Sequence, residues 1–179
     1  LEGVSNITLR NFDLGSSSCY GVRMSGTNTN VTLDRILTND RWFRSITTWG
    51  TTTNTNLVIK NSIFGPSSSG VGLAGLAGSI EISNNDFSPK GSGGFYLQAP
   101  ELYLDMAGIT NFSPSNVKII GNNFTGNSKG LSIANVNASS SVRFSINSTL
   151  NNNFIYTGFD WTQRPGWGVI IGSAIEITS

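Results

Sequence analysis

The sequence contains no histidine and a single cysteine. Without histidine there is no imidazole to act as general base, metal ligand or charge switch near neutral pH. One cysteine, Cys19, excludes an internal disulfide framework, and with no histidine to activate it as a nucleophile it reads as a small buried thiol. Charge is scarce as well: Asp, Glu, Lys and Arg make up 12% of the chain and the formal net charge is +1. That balance argues against a nucleic-acid surface or a polybasic membrane patch. No apolar run approaches the roughly 18 residues of a membrane span, and no signal peptide is visible. The chain opens on a repeat unit and ends just after one, so it is read as a piece of a longer protein.

What the chain has in quantity is Asn, Gly, Ser and Thr, which together make up almost half of it. Such a composition alone is that of a disordered chain. Here, however, Val, Ile, Leu and Phe recur between the polar residues in a fixed frame. Asn116-Val117-Lys118-Ile119-Ile120-Gly121-Asn122-Asn123-Phe124 shows it best. A polar residue precedes an apolar/polar/apolar strand, a short polar turn follows, and an apolar anchor closes the frame, as Phe124 does after Val117. The same frame fits the stretches from Asn6, Asn56 and Ser79, and fits the one from Asn30 except at the anchor, Thr38. Self-similarity of this kind outranks any local motif, because it fixes the architecture.

Each unit carries a second strand introduced by Gly or Ser, as in Gly21-Val22-Arg23-Met24, Ser45-Ile46-Thr47-Thr48, Gly70-Val71-Gly72-Leu73, Gly94-Phe95-Tyr96-Leu97, Gly130-Leu131-Ser132-Ile133 and Gly168-Val169-Ile170-Ile171. The offset from first-strand start to second-strand start is nearly constant through the first five units: Ile7 to Val22, Val31 to Ile46, Leu57 to Val71, Ile80 to Phe95 and Val117 to Leu131. Hairpins do not hold such an offset, whereas a coil of fixed circumference does. First strands start at Ile7, Val31, Leu57, Ile80, Val117 and Val142, and Ile175 is taken to begin a seventh. Alternation puts Leu9, Leu33, Ile59, Ile82 and Ile119 on one face of their strands. A single strand cannot bury that face; stacked units can. Two interior columns are therefore expected, Ile59-Ile82-Ile119 and Phe64-Phe87-Phe124. Asn11, Asn61 and Asn84 at one turn position, and Asn85 and Asn122 one place later, read as backbone-supporting residues.

On these repeated frames the chain resembles the pectin lyase-like right-handed parallel β-helices. The expected fold is thus an all-β right-handed parallel β-helix, a solenoid of about six to seven coils of roughly 24 residues, a length within the range of solenoid repeats. It spans 1–179 as one domain with insertions at 98–115 and 147–167. The resemblance implies a protein that handles polysaccharide at a cell surface, in the extracellular space or on a virion, as tailspikes and adhesins do. Polysaccharide or cell-surface glycan is then the partner and a homotrimer the expected assembly, with no nucleic acid, no membrane insertion and no cofactor.

Two stretches break the period. Gln98 to Ser115 contains Pro100-Glu101-Leu102-Tyr103-Leu104-Asp105-Met106, an alternating pattern read as an extra strand. Asn147 to Trp167 carries Tyr156, Trp161, Arg164 and Trp167 and is expected to loop out as a contact surface. A third cluster, Arg41-Trp42-Phe43-Arg44, falls in a turn where other units have small residues. Two arginines beside a tryptophan suit an acidic sugar, since Arg pairs bidentately with carboxylates. The expected ligand-binding residues are accordingly Arg41, Trp42, Arg44, Tyr156, Trp161, Arg164 and Trp167.

Catalytic signals are weak. A polygalacturonase-type Gly-His-Gly segment is absent, and no adjacent units present aligned carboxylates at the separation a glycosidase requires. A clustered carboxylate site for calcium is not evident either, so no metal is expected. Asp40, Glu101, Asp105 and Asp160, all in irregular segments, are the remaining candidates for a polysaccharide lyase or glycoside hydrolase.

Overall fold

The computed structural model describes residues 1–15, 19–38, 41–65, 67–87, 102–109, 116–126, 131–134, 150–156 and 175–177. The protein is all-β over these residues. Its strands are β1 (Ser5–Asp13), β2 (Tyr20–Thr38), β3 (Arg41–Lys60), β4 (Ile63–Phe64), β5 (Ser67–Leu73), β6 (Leu76–Ser83), β7 (Asp86–Phe87), β8 (Leu102–Asp105), β9 (Val117–Gly126), β10 (Leu131–Ala134), β11 (Leu150–Tyr156) and β12 (Ile175–Ile177). Every pairing between them is parallel.

The apolar frame positions fall opposite one another. Leu9 pairs with Leu33, Leu33 with Ile59, Ile59 with Ile82 and Ile82 with Ile119. The aromatic anchors form a second column, Phe64 to Phe87 to Phe124, with ring centroids 5.2 and 4.7 Å apart. Ile59, Ile82 and Ile119 are fully buried and the three Phe nearly so. Burial of each such side chain contributes about 1.5–3 kcal/mol. The third column runs Val22, Ile46, Val71, Leu102, Leu131, Ile175.

The expected solenoid is corrected by the strand pairing. Strands β2, β4, β7, β9, β6 and β3 pair in turn and β3 pairs back to β2, so the sheet closes into a six-strand parallel barrel. The other six strands are added to it. The reason lies in β2 and β3, which run for 19 and 20 residues, several times the length of an ordinary strand. Positions that read as turns in the sequence do not end these strands. Gly26, Asn30 and Arg35 in β2 and Gly50 and Asn56 in β3 take positive φ, between 53 and 67°. The chain bends there and keeps pairing. One strand thus meets different partners along its length: β2 pairs with β3 up to Asp34 and with β4 at Leu37 and Thr38.

Three strands sit elsewhere than the spacing suggested. β8 takes the place expected of Gly94–Leu97: Leu102 pairs with Val71 and with Leu131. Residues 94–97 lie outside the described residues. β11, in the stretch expected to loop out, pairs with β9 and puts Phe154 opposite Phe124. β12 pairs with β10, so Ile175 continues the second-strand column and does not begin a new first strand. Cys19 is exposed, not buried; it sits at the bend before β2, where its carbonyl accepts the Arg44 amide.

Asparagine holds the corners. Asn11, Asn61 and Asn84 have φ between 53 and 59°, and Arg35 and Gly121 adopt the same left-handed backbone in the intervening and following units. Asn tolerates this region at lower cost than most residues. One place on, the side chains turn inward. The Ser62 amide donates to Asn85 Oδ1 at 3.0 Å, and the Asn85 amide to Asn122 Oδ1 at 3.1 Å. Asn85 and Asn122 donate in turn to the carbonyls of Ile59 and Ile82. Buried corner amides that the strand ladders cannot reach are satisfied in this way.

Candidate functional site

The outward side of the second strands begins with Arg23, Thr47, Gly72 and Tyr103, each paired with the next. Three register steps of about 4.8 Å separate Arg23 from Tyr103. Two clusters of chemistry gather on this row.

The first surrounds Trp49. Met24 pairs with Thr48 and Gly26 with Thr52, so Trp49, Gly50 and Thr51 stand against the single residue Ser25. Such a bulge bends the strand and re-aims a side chain. Gly50, at φ 67°, and the Thr52 hydroxyl, which donates to the Trp49 carbonyl at 2.8 Å, set the corner. Trp49 is 53% exposed, the highest value among the exposed large hydrophobic residues described. Tyr20 meets its ring edge-on at 5.9 Å and 65°, and the Arg23 guanidinium lies 5.6 Å from its centroid. One aromatic ring is thus fixed by two neighbours while much of its surface faces water.

The second cluster is built on Arg44. Its guanidinium lies over Gly72, Nη1 nearest: a Cβ added there would clash with Nη1 and stand 2.5 Å from Cζ and 3.0 Å from Nε. Only glycine leaves that space. Burial pulls the Arg44 pKa down, while Tyr20 and Tyr103 on either side act in the opposite sense. Burial pushes the Tyr103 hydroxyl pKa up; Asp105 adds to this and Arg44 opposes it. Nε of Arg44 is sealed from solvent and has no hydrogen-bond partner. Among the described residues no carboxylate pairs with this cation; the one ion pair joins Arg10 to Asp34 at 2.9 Å.

That ion pair belongs to the fold. The Asn61 amide donates to Asp34 Oδ1 at 2.9 Å and Arg10 Nε to Oδ2. The Asn61 hydrogen bond first, and Arg10 beside it, hold the Asp34 carboxyl below its usual value against the opposing effect of burial.

Of the expected binding residues, Arg44 has a described side chain and a defined seat. Arg41 and Trp42 lie at the start of β3, where Arg41 pairs with Ser67. Tyr156 ends β11, opposite Gly126. Trp161, Arg164 and Trp167 lie outside the described residues, as do Asp40, Glu101 and Asp160. Asp105, the remaining acid candidate, ends β8 and accepts the Ala107 amide at 3.1 Å, a local turn contact. Among the described residues no three His, Cys, Asp or Glu side chains gather at metal-binding distance.

Tyr20, Arg23, Trp49 and Tyr103 are site residues that the sequence reading does not single out. A signal for Trp49 exists in the spacing of the first strands. The step from Val31 to Leu57 is longer than the step before it, from Ile7, and the step after it, to Ile80. The excess falls at Trp49-Gly50-Thr51. Comparison with protein-family models, with curated proteins and with solved structures finds no match to this chain.

Proposed function

We propose that this protein recognises polysaccharide on an extracellular or virion surface, in the manner of a tailspike or adhesin, and that it does so through the outward row around Trp49. The observation that carries the reading is the Trp49 ring, more than half exposed yet held in place by Tyr20 and Arg23. Aromatic side chains supply large, rigid contact area at little entropic cost. The apolar faces of sugar rings match such a platform, and the surrounding Thr, Ser and Asn residues offer hydroxyl and amide partners. A row of units repeated at strand spacing also suits a repeating ligand.

Affinity electrophoresis against a panel of neutral and acidic polysaccharides tests this. Trp49→Ala is expected to weaken retention by about tenfold or more, which is about 1.4 kcal/mol of binding. Its thermal transition is expected to move little, because the ring is half in water. Unchanged retention of Trp49→Ala on every polysaccharide that the parent protein binds overturns the reading.

A further inference from the structure

We infer that the Arg44 seat is an anion-binding subsite that takes the carboxylate or sulfate group of an acidic glycan lying along the Trp49 row. The inference rests on the polysaccharide reading for its ligand, and on separate observations for its chemistry.

Three features of the seat point to an anion. The guanidinium is positioned by the fold: it lies over Gly72, in space that any side chain at that position would fill. Tyr20 pairs with Arg44 on one side and Tyr103 with Gly72 on the other. Among the described residues the cation has no counter-ion: its Nε is buried without a partner and no carboxylate pairs with it. A partly desolvated charge without a counter-ion is costly, and a charge-assisted hydrogen bond donated to a bound anion offsets that cost. A guanidinium offers parallel N–H donors that match the two oxygens of one carboxylate or sulfate.

The neighbourhood also discriminates. Asp105 lies two residues past Tyr103 on the same face of β8 and raises the Tyr103 hydroxyl pKa. Its charge disfavours an anion that slides along β8 past Tyr103. Gly72 acts as a positioning residue: Gly72→Ala pushes the guanidinium off its seat without removing its charge.

Three probes of similar length separate the sources of the anion: a tetraglucuronate, its neutral methyl ester, and a sulfated cellotetraose. Affinities are measured calorimetrically, and the Arg44 Nε–Hε resonance is followed by NMR in the parent protein. The tetraglucuronate is expected to bind about tenfold tighter than its ester. Arg44→Gln and Gly72→Ala each remove that difference and leave ester binding in place, and the Arg44 resonance shifts with an anionic probe and not with the ester. Tighter binding of the sulfated probe than of the uronate assigns the subsite to sulfate. Should Arg44→Gln fail to fold, Arg44→Lys keeps charge and reach but lacks the planar fork, and the resonance titration needs no variant at all. Equal affinity for acid and ester, with no shift of the Arg44 resonance, overturns the inference and leaves the Trp49 reading standing. Acid binding that depends on Arg44 but not on Trp49 supports the subsite and removes the platform. No binding of any probe and an unmoved resonance overturn both.

Discussion

The first-strand columns and the Trp49–Arg44 face are made by the same units and solve opposite problems. In the columns, Leu9, Leu33, Ile59, Ile82 and Ile119 stay in step through five units. Their corner amides are satisfied by Ser62, Asn85 and Asn122. On the outer face the register shifts at Trp49, and again between Arg41 and Arg44. There a large apolar ring meets water and a guanidinium has no counter-ion among the described residues. In the columns the buried corner amides are satisfied and the unit repeats; on the outer face the unit departs from the repeat where groups are left exposed or unpaired. Unsatisfied chemistry at an irregular position is what a binding surface requires.

Mutations in the columns should therefore cost stability, and mutations on the face should not. Ile82→Asp puts a carboxylate at a fully buried position with apolar neighbours on both sides. The expected result is loss of the folded state, visible as the absence of a cooperative melting transition. A soluble variant that melts like the parent would break the contrast at its strongest point.

Asn85→Ala is the next test. It removes the acceptor of the Ser62 amide and the donor to the Ile59 carbonyl. Two buried backbone groups lose their partners, for an expected destabilisation of about 2–4 kcal/mol in chemical denaturation. A loss below about 1 kcal/mol would mean that the corner amides are satisfied in some other way.

The Asp34 pair gives the third and smallest effect. Its carboxyl is held below its ordinary value in the folded protein, chiefly by the Asn61 hydrogen bond. The unfolded chain therefore takes up the proton first as pH falls. The stabilisation is complete above about pH 4 and is lost as pH drops through the lower folded value. Asp34→Asn should flatten the stability profile in that acid range. Parallel profiles for parent and variant would show that Asp34 titrates alike folded and unfolded.

The interior was legible in the sequence because its signal repeats. Ile59, Ile82, Ile119 and the three Phe recur in one frame, and repeated copies of a pattern outweigh any local ambiguity. The closure of the sheet was not legible. Gly26, Asn30 and Gly50 look like chain breaks, and only the backbone angles show that pairing continues through them. The place of β8 was obscured because two alternating stretches, 94–97 and 102–105, compete for one position, and spacing alone does not choose between them. Arg44 was recognisable by residue type, but its seat was not. Gly72 reads as an ordinary strand residue until the neighbouring unit is laid over it. Trp49 was hidden for the related reason that its exposure depends on which residues absorb the excess length between Val31 and Leu57.

The exposed Asn row has a consequence for how the units can be exchanged. The Asn56 amide donates to Asn30 at 2.9 Å, Asn30 donates to Asn6 at 2.8 Å, and the Ser79 amide closes the other end on Asn56. Every bond points the same way, so the row is vectorial. Asn6 only accepts within it, and an aspartate there would preserve the contact. Asn30 both gives and receives, and an aspartate there would face another oxygen. Identical residues at equivalent places thus meet different demands. A unit carrying an acceptor alone at this place would therefore fit the Asn6 end of the row and break its middle, a sense of direction that the apolar frame does not have.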